Sequence, residues 1–61
     1  MIPLTILTIL RPSNRPDAIA QAIEEGWRQI GAGRFRRDAE VGTLLWVYHP
    51  MWPVFALVRS R

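Results

Sequence analysis

Hydrophobic and polar positions change their period along this chain, and each change marks an element. Ile2-Pro3-Leu4-Thr5-Ile6-Leu7-Thr8-Ile9-Leu10 is rich in β-branched residues and stops at the turn-forming cluster Arg11-Pro12-Ser13-Asn14, which predicts a strand. Leu4, Ile6 and Leu10 share one face, and Leu7 and Ile9 the other. Such two-sided apolarity is expected of an interior strand, with Pro3 near its start, where a missing backbone donor costs least. From Pro16 to Ile30 the period lengthens. Ile19, Ile23, Trp27 and Ile30, with Ala22 beside them, form one stripe at helical spacing. Pro16 suits the first helical position, Asp17 complements the positive end of the helix dipole, and Glu24 and Arg28 are spaced as an i,i+4 pair. Gly26 falls inside this helix, at a cost of about 1 kcal/mol relative to alanine. Gly31-Ala32-Gly33 follows as the C-terminal cap.

Partial alternation returns in Arg34–Val41. Phe35, Ala39 and Val41 occupy one face and Arg34, Arg36, Asp38 and Glu40 the other, while Arg37 interrupts the apolar side. This pattern predicts a charged edge strand, with Gly42 as the turn that follows. From Val41 to Val58 the chain carries no formal charge. The run is long enough to raise a membrane span, but Pro50 and Pro53 break a helix there. What remains is a hairpin, Thr43–Tyr48 and Val54–Arg59 joined by His49-Pro50-Met51-Trp52-Pro53. The predicted order is β-α-β-β-β: an α/β chain of the α+β two-layer sandwich type, residues 1–61 as one domain. Its four-stranded mixed sheet has a right-handed crossover, an antiparallel meander and one helix on one face.

Both strands of the hairpin are apolar on both faces. Leu45 and Val47 oppose Leu44, Trp46 and Tyr48, and Val54, Ala56 and Val58 oppose Phe55 and Leu57. A fifteen-residue helix, about 22 Å long, covers one face of such a sheet and not two. Sixty-one residues bury only about 60% of their unfolded surface, so help from a partner is expected. With no cysteine, disulfides and thiolate metal sites are excluded. A contiguous apolar patch marks an interaction surface, and Trp and Tyr are enriched at binding hot spots. The candidate partner-binding residues are therefore Trp46, Tyr48, Met51, Trp52 and Phe55. Their partner is another protein or a second copy in a homodimer.

Charge adds a second candidate. The net charge is +3 and the pI about 11.2, and every basic residue is arginine. Arginine forks suit phosphate. Arg34, Arg36 and Arg37 around Phe35, with Arg59 nearby, form the alternative candidate, an RNA or DNA site of arginine contacts and base stacking. The glycine and aromatic pattern of the common RNA-binding sheet is missing, and Asp38 and Glu40 on the outward face would repel phosphate. A third alternative, a membrane-associated protein, rests on the uncharged run with Arg59 and Arg61 at one end. Chemistry finds little support: His49 is the sole histidine, Ser13 and Ser60 lie in flanking segments, and no cofactor or metal motif is present. The expectation is a non-enzymatic cytoplasmic binding protein without cofactor. Its size suits a regulator or inhibitor of a larger bacterial or phage-targeted machine.

Overall fold

The computed structural model describes residues 5–60. Ile2, Pro3 and Leu4 of the predicted first strand, and Arg61, lie outside the described residues. Five strands and one helix follow in the order β1 (Ile6–Leu10), α1 (Arg15–Glu24), β2 (Arg28–Gly31), β3 (Arg34–Arg37), β4 (Glu40–Tyr48) and β5 (Pro53–Arg59). The α+β sandwich with one helix is as expected. Its sheet differs in detail, having five strands in the order β1-β5-β4-β3-β2, with every neighbouring pair antiparallel. The last four strands form a continuous meander. β5 takes the place beside β1 that a mixed sheet would give to β2, so the helix carries the chain across the whole sheet, from one edge to the other.

The helix begins as its residues require and ends earlier than its stripe predicts. Asn14 is the N-cap, its side-chain oxygen accepting from Asp17 N–H at 3.0 Å. The end is set at Gly26. Trp27 N–H donates to Ala22 C=O and Gly26 N–H to Ile23 C=O, each at 3.0 Å, with Gly26 at φ +94°. These two bonds make the Schellman motif, in which a left-handed glycine stops the helix. Gly26 is therefore outside the helix, Trp27 and Ile30 do not continue its stripe, and Arg28 is no i+4 partner for Glu24. The helix buries Ala18 and Ala22, leaving Ile23 exposed. Trp27 turns back into the core, its ring covered by the Arg37 guanidinium at 4.5 Å. Arg37 Nη1 also donates to Glu25 C=O at 3.0 Å, which holds β3 to the end of the helix.

Two further turns fall away from their predicted places. Gly31-Ala32-Gly33 closes the β2–β3 hairpin and caps no helix, Gly33 taking φ +71°. The chain reverses between β3 and β4 at Asp38-Ala39, with Asp38 at φ +54°, while Gly42 lies buried within β4. At Gly42 an added Cβ would stand 3.1 Å from Leu57 Cβ and 3.3 Å from Leu7 Cδ1. Glycine serves close approach there. Consequently β3 is interior, flanked by β2 and β4, and β1 is the edge despite its apolar faces. Apolarity reports which faces of a strand are covered, not whether it has two neighbours.

Leu10, Ala18, Ala22, Trp27, Phe35, Leu44 and Leu57 form the core between helix and sheet, with Leu7, Ile19 and Phe55 packed at its margin. Two substitutions test this geometry by thermal denaturation followed by circular dichroism. Gly26→Ala lowers stability by about 1–2 kcal/mol, because alanine resists the left-handed conformation; inside a helix it would instead raise stability by about 1 kcal/mol. Gly42→Ala costs about 1–3 kcal/mol through overpacking against Leu57. For a domain of this size each kcal/mol moves Tm by roughly 4–8 °C, so an unchanged or raised Tm in either variant contradicts the placement of that glycine.

Candidate functional site

The uncharged run becomes β4 and β5, and these two strands outrun their neighbours. β3 pairs with β4 only as far as Thr43, opposite Arg34, and β1 pairs with β5 only from Phe55, opposite Leu10. Beyond Thr43, β4 pairs with β5 alone, and the pairs Val47–Val54 and Tyr48–Pro53 have no third strand beside them among the described residues, while Ala56 and Phe55, opposite Leu45 and Trp46, still pair with β1. The result is a two-stranded arm that projects from the sheet and carries no formal charge. An isolated two-stranded hairpin is marginal in water, so this arm depends on its own side-chain pairs and on whatever covers it.

Cross-strand pairing assigns the faces. Trp46 opposite Phe55 and Tyr48 opposite Pro53 share the face on which the helix covers Leu44 and Leu57. Exposure along that face of β4 rises steeply: Leu44 is 4% exposed, Trp46 49% and Tyr48 73%. Helix cover thus ends between Leu44 and Trp46. Trp46 and Phe55 meet edge to face, with ring centroids 4.7 Å apart at 63°, the geometry aromatic quadrupoles favour. Beyond them His49 N–H donates to Trp52 C=O at 2.9 Å, closing a tip whose His49–Pro50 peptide is cis. Met51 and Trp52 on this tip are 77% and 71% exposed. Of the five candidate partner-binding residues, Trp46, Tyr48, Met51 and Trp52 are exposed on the arm, and Phe55 is half-buried at its root.

The opposite face of the sheet has no helix over it among the described residues. Its apolar positions shelter one another: Ala56 is flanked by Ile9 and Leu45, and Val58 by Ile6 and Thr43. Ala56 and Val58 are buried there, and Leu45 is partly exposed. The larger exposed apolar surface is on the arm, on the helix side.

The alternative nucleic-acid residues are split between faces. Phe35 is fully buried in the core and offers no ring to a base. Arg37 lies over Trp27, and Arg59 Nη2 pairs with Glu40 Oε2 at 3.1 Å on the helix side. Arg34 and Arg36 lie on the opposite face, across from Thr43 and Val41. Arg28, placed by periodicity on the helix, joins them there on β2. His49 is exposed at the arm tip, while Asp38 and Glu40 stand at the far end of β4. The Ser60 hydroxyl is hydrogen-bonded to that of Thr43. Among the described residues no group of three His, Cys, Asp or Glu could hold a metal ion, and no helix is long and apolar enough to cross a membrane. A shallow groove of about 630 Å³ beside the helix is lined by Arg11, Pro12, Asp17, Gln21, Glu24 and neighbours.

Comparison with protein-family models, with curated proteins and with solved structures finds no match for this chain. The arm is therefore read from its own geometry, and its packing can be measured. Trp46→Ala lowers stability by about 1–2 kcal/mol, through loss of the aromatic pair and its buried area. Trp52→Ala stays within about 0.5 kcal/mol of the parent, as an exposed residue should. Urea denaturation midpoints at unchanged m separate the two. Equal losses in both variants would mean that Trp52 packs on the domain and is not displayed.

Proposed function

We propose that this chain is a small non-enzymatic interaction module that docks its β4–β5 arm on a protein, either a different protein or a second copy of itself. One observation carries this reading: a charge-free two-stranded arm displays Trp46, Tyr48, Met51 and Trp52 beyond the reach of the only described helix. Exposed aromatics on a stiff hairpin lose little freedom on binding, so their burial contributes efficiently to affinity. The unpaired backbone edges of the arm add main-chain donors and acceptors of the kind that strand addition uses. A role as regulator or inhibitor of a larger bacterial or phage-targeted machine, acting in the cytoplasm, fits a cysteine-free module of this size.

Light scattering after size exclusion tests self-association first, and a photo-crosslinking residue at position 52 tests other proteins in extracts of the native host. The expected result is a dimer, or one discrete crosslinked protein, that persists in moderate salt. It is weakened at least tenfold in Tyr48→Ala/Trp52→Ala and absent when the crosslinker stands at position 20 on the helix. Monomeric behaviour with no crosslink specific to position 52 refutes the proposal. So does preferential binding of the arm to lipid vesicles, since Trp and Tyr also suit membrane interfaces.

A further inference from the structure

The charges of this chain are sorted by face. Register places Arg28 directly opposite Arg36, and Arg34 two residues from Arg36 on β3, all three on the sheet face away from the helix. All three are exposed. None forms a salt bridge among the described residues, where the one ion pair is Arg59 with Glu40. The five carboxylates are elsewhere. Asp17, Glu24 and Glu25 belong to the helix and its cap, where Glu25 accepts from Thr8 and Gln21. Glu40 is held by Arg59, although it borders a groove of about 490 Å³ shared with Arg34 and Val41. Asp38 sits in the β3–β4 turn, its carbonyl accepting from Arg36 Nε at 3.2 Å.

Like charges directly opposite each other in a sheet are destabilising. Here two arginines are opposed with a third about 6.8 Å along the strand, and among the described residues none of the three is ion-paired with a carboxylate. An anion bound across them would. Their forks fit phosphodiester oxygens two bonds at a time. Stacked bases find no platform: Phe35, Trp46, Tyr48 and Phe55 face the helix side by register, Trp27 is in its core, and Trp52 is at the arm tip. A single strand bound by stacking is thereby disfavoured. A lipid surface is disfavoured by distance, because the start of the arm tip at Tyr48 lies about 17 Å along β4 from the level of Arg34 and about 24 Å from that of Arg28 and Arg36, at strand rise.

We infer that the face carrying Arg28, Arg34 and Arg36 binds the phosphate backbone of double-stranded nucleic acid, without reading its sequence. This site is independent of the arm, and either can fail without the other. Fluorescence anisotropy with a labelled DNA duplex of about 20 base pairs tests it on the full chain. Three phosphate contacts predict that affinity falls with salt at a log–log slope of about 2.7, roughly fortyfold between 50 and 200 mM. Arg28→Ala/Arg36→Ala should reduce the slope to about 0.9 and weaken binding at low salt, with an unchanged circular dichroism spectrum. Arg11→Ala, which removes a charge outside this face, should change the slope by less than half a unit. Changing the duplex sequence should have no effect. Absence of binding at 50 mM salt overturns the inference. Equal losses in Arg11→Ala and in the double variant, a preference for single strands, or binding to phosphatidylserine vesicles in place of the duplex does so as well.

Discussion

The left-handed turn at Gly26 governs most of what is distinctive in this fold. With Gly26 at φ +94° the helix stops at Glu24, and Trp27 swings back beneath it to fill the space between α1 and the sheet. Three consequences follow in sequence. The segment after Trp27 is free to become β2, which lengthens the sheet to five strands. Arg37, on the neighbouring strand, then reaches both the Trp27 ring and the Glu25 carbonyl, which ties the sheet to the negative end of the helix dipole. Finally, a helix of ten residues is about 15 Å long and reaches no further along β4 than Leu44. The exposed arm is the remainder of that limit.

The same limit explains why the uncharged run divides into two parts. Its flanking neighbours are short: β1 and β3 contribute five and four residues beside the nine of β4 and seven of β5. Where all four run together, apolar side chains on both faces are covered by the helix or by their neighbours, as with Val58 between Ile6 and Thr43. Past Thr43 β3 is gone, and past Phe55 β1 is gone too, so no third strand among the described residues flanks Val47–Val54 and Tyr48–Pro53. Bulk and aromaticity take over there, with Trp46 locked against Phe55 and then Tyr48, Met51 and Trp52 exposed. A charge on such a ribbon would keep it in water and blunt its open edges. Its absence leaves those edges available.

Much of this architecture was legible in the chain. The hairpin, the helix with its first turn and the surplus of apolar surface all follow from period, proline and the Pro16-Asp17 pair, signals that physics imposes locally. Most departures from the local pattern trace to Gly26. A stripe of Ile19, Ile23, Trp27 and Ile30 matches helical spacing, and nothing local distinguishes a mid-helix glycine from one that stops the helix; the difference lies in Trp27 finding a tertiary pocket. Misplacing Gly26 hides β2, moves Arg28 to the wrong element and makes β3 an edge. Gly42 misleads in the opposite way, resembling a turn when its smallness serves Leu7 and Leu57 across the sheet. The projecting arm has no local signal, because the strands expected beside the hairpin, Ile2–Leu10 and Arg34–Val41, are longer than its own two, Thr43–Tyr48 and Val54–Arg59.

Charge separation completes the picture of a two-ended molecule. Along β4 the charged turn at Asp38-Ala39 and the arginine face stand at one end, and the uncharged tip at the other. Keeping arginines off the arm preserves its apolar character, while keeping carboxylates off the far sheet face preserves an unrelieved positive field there. A domain only 27 × 26 × 17 Å in extent has room for two such surfaces because they use opposite faces as well as opposite ends of one long hairpin. If both proposed surfaces bind, apolar and electrostatic contacts are made to different bodies. Salt would then weaken one contact and leave the other, because screening acts on exposed charges over a Debye length of about 8–10 Å and hardly touches burial of aromatic surface.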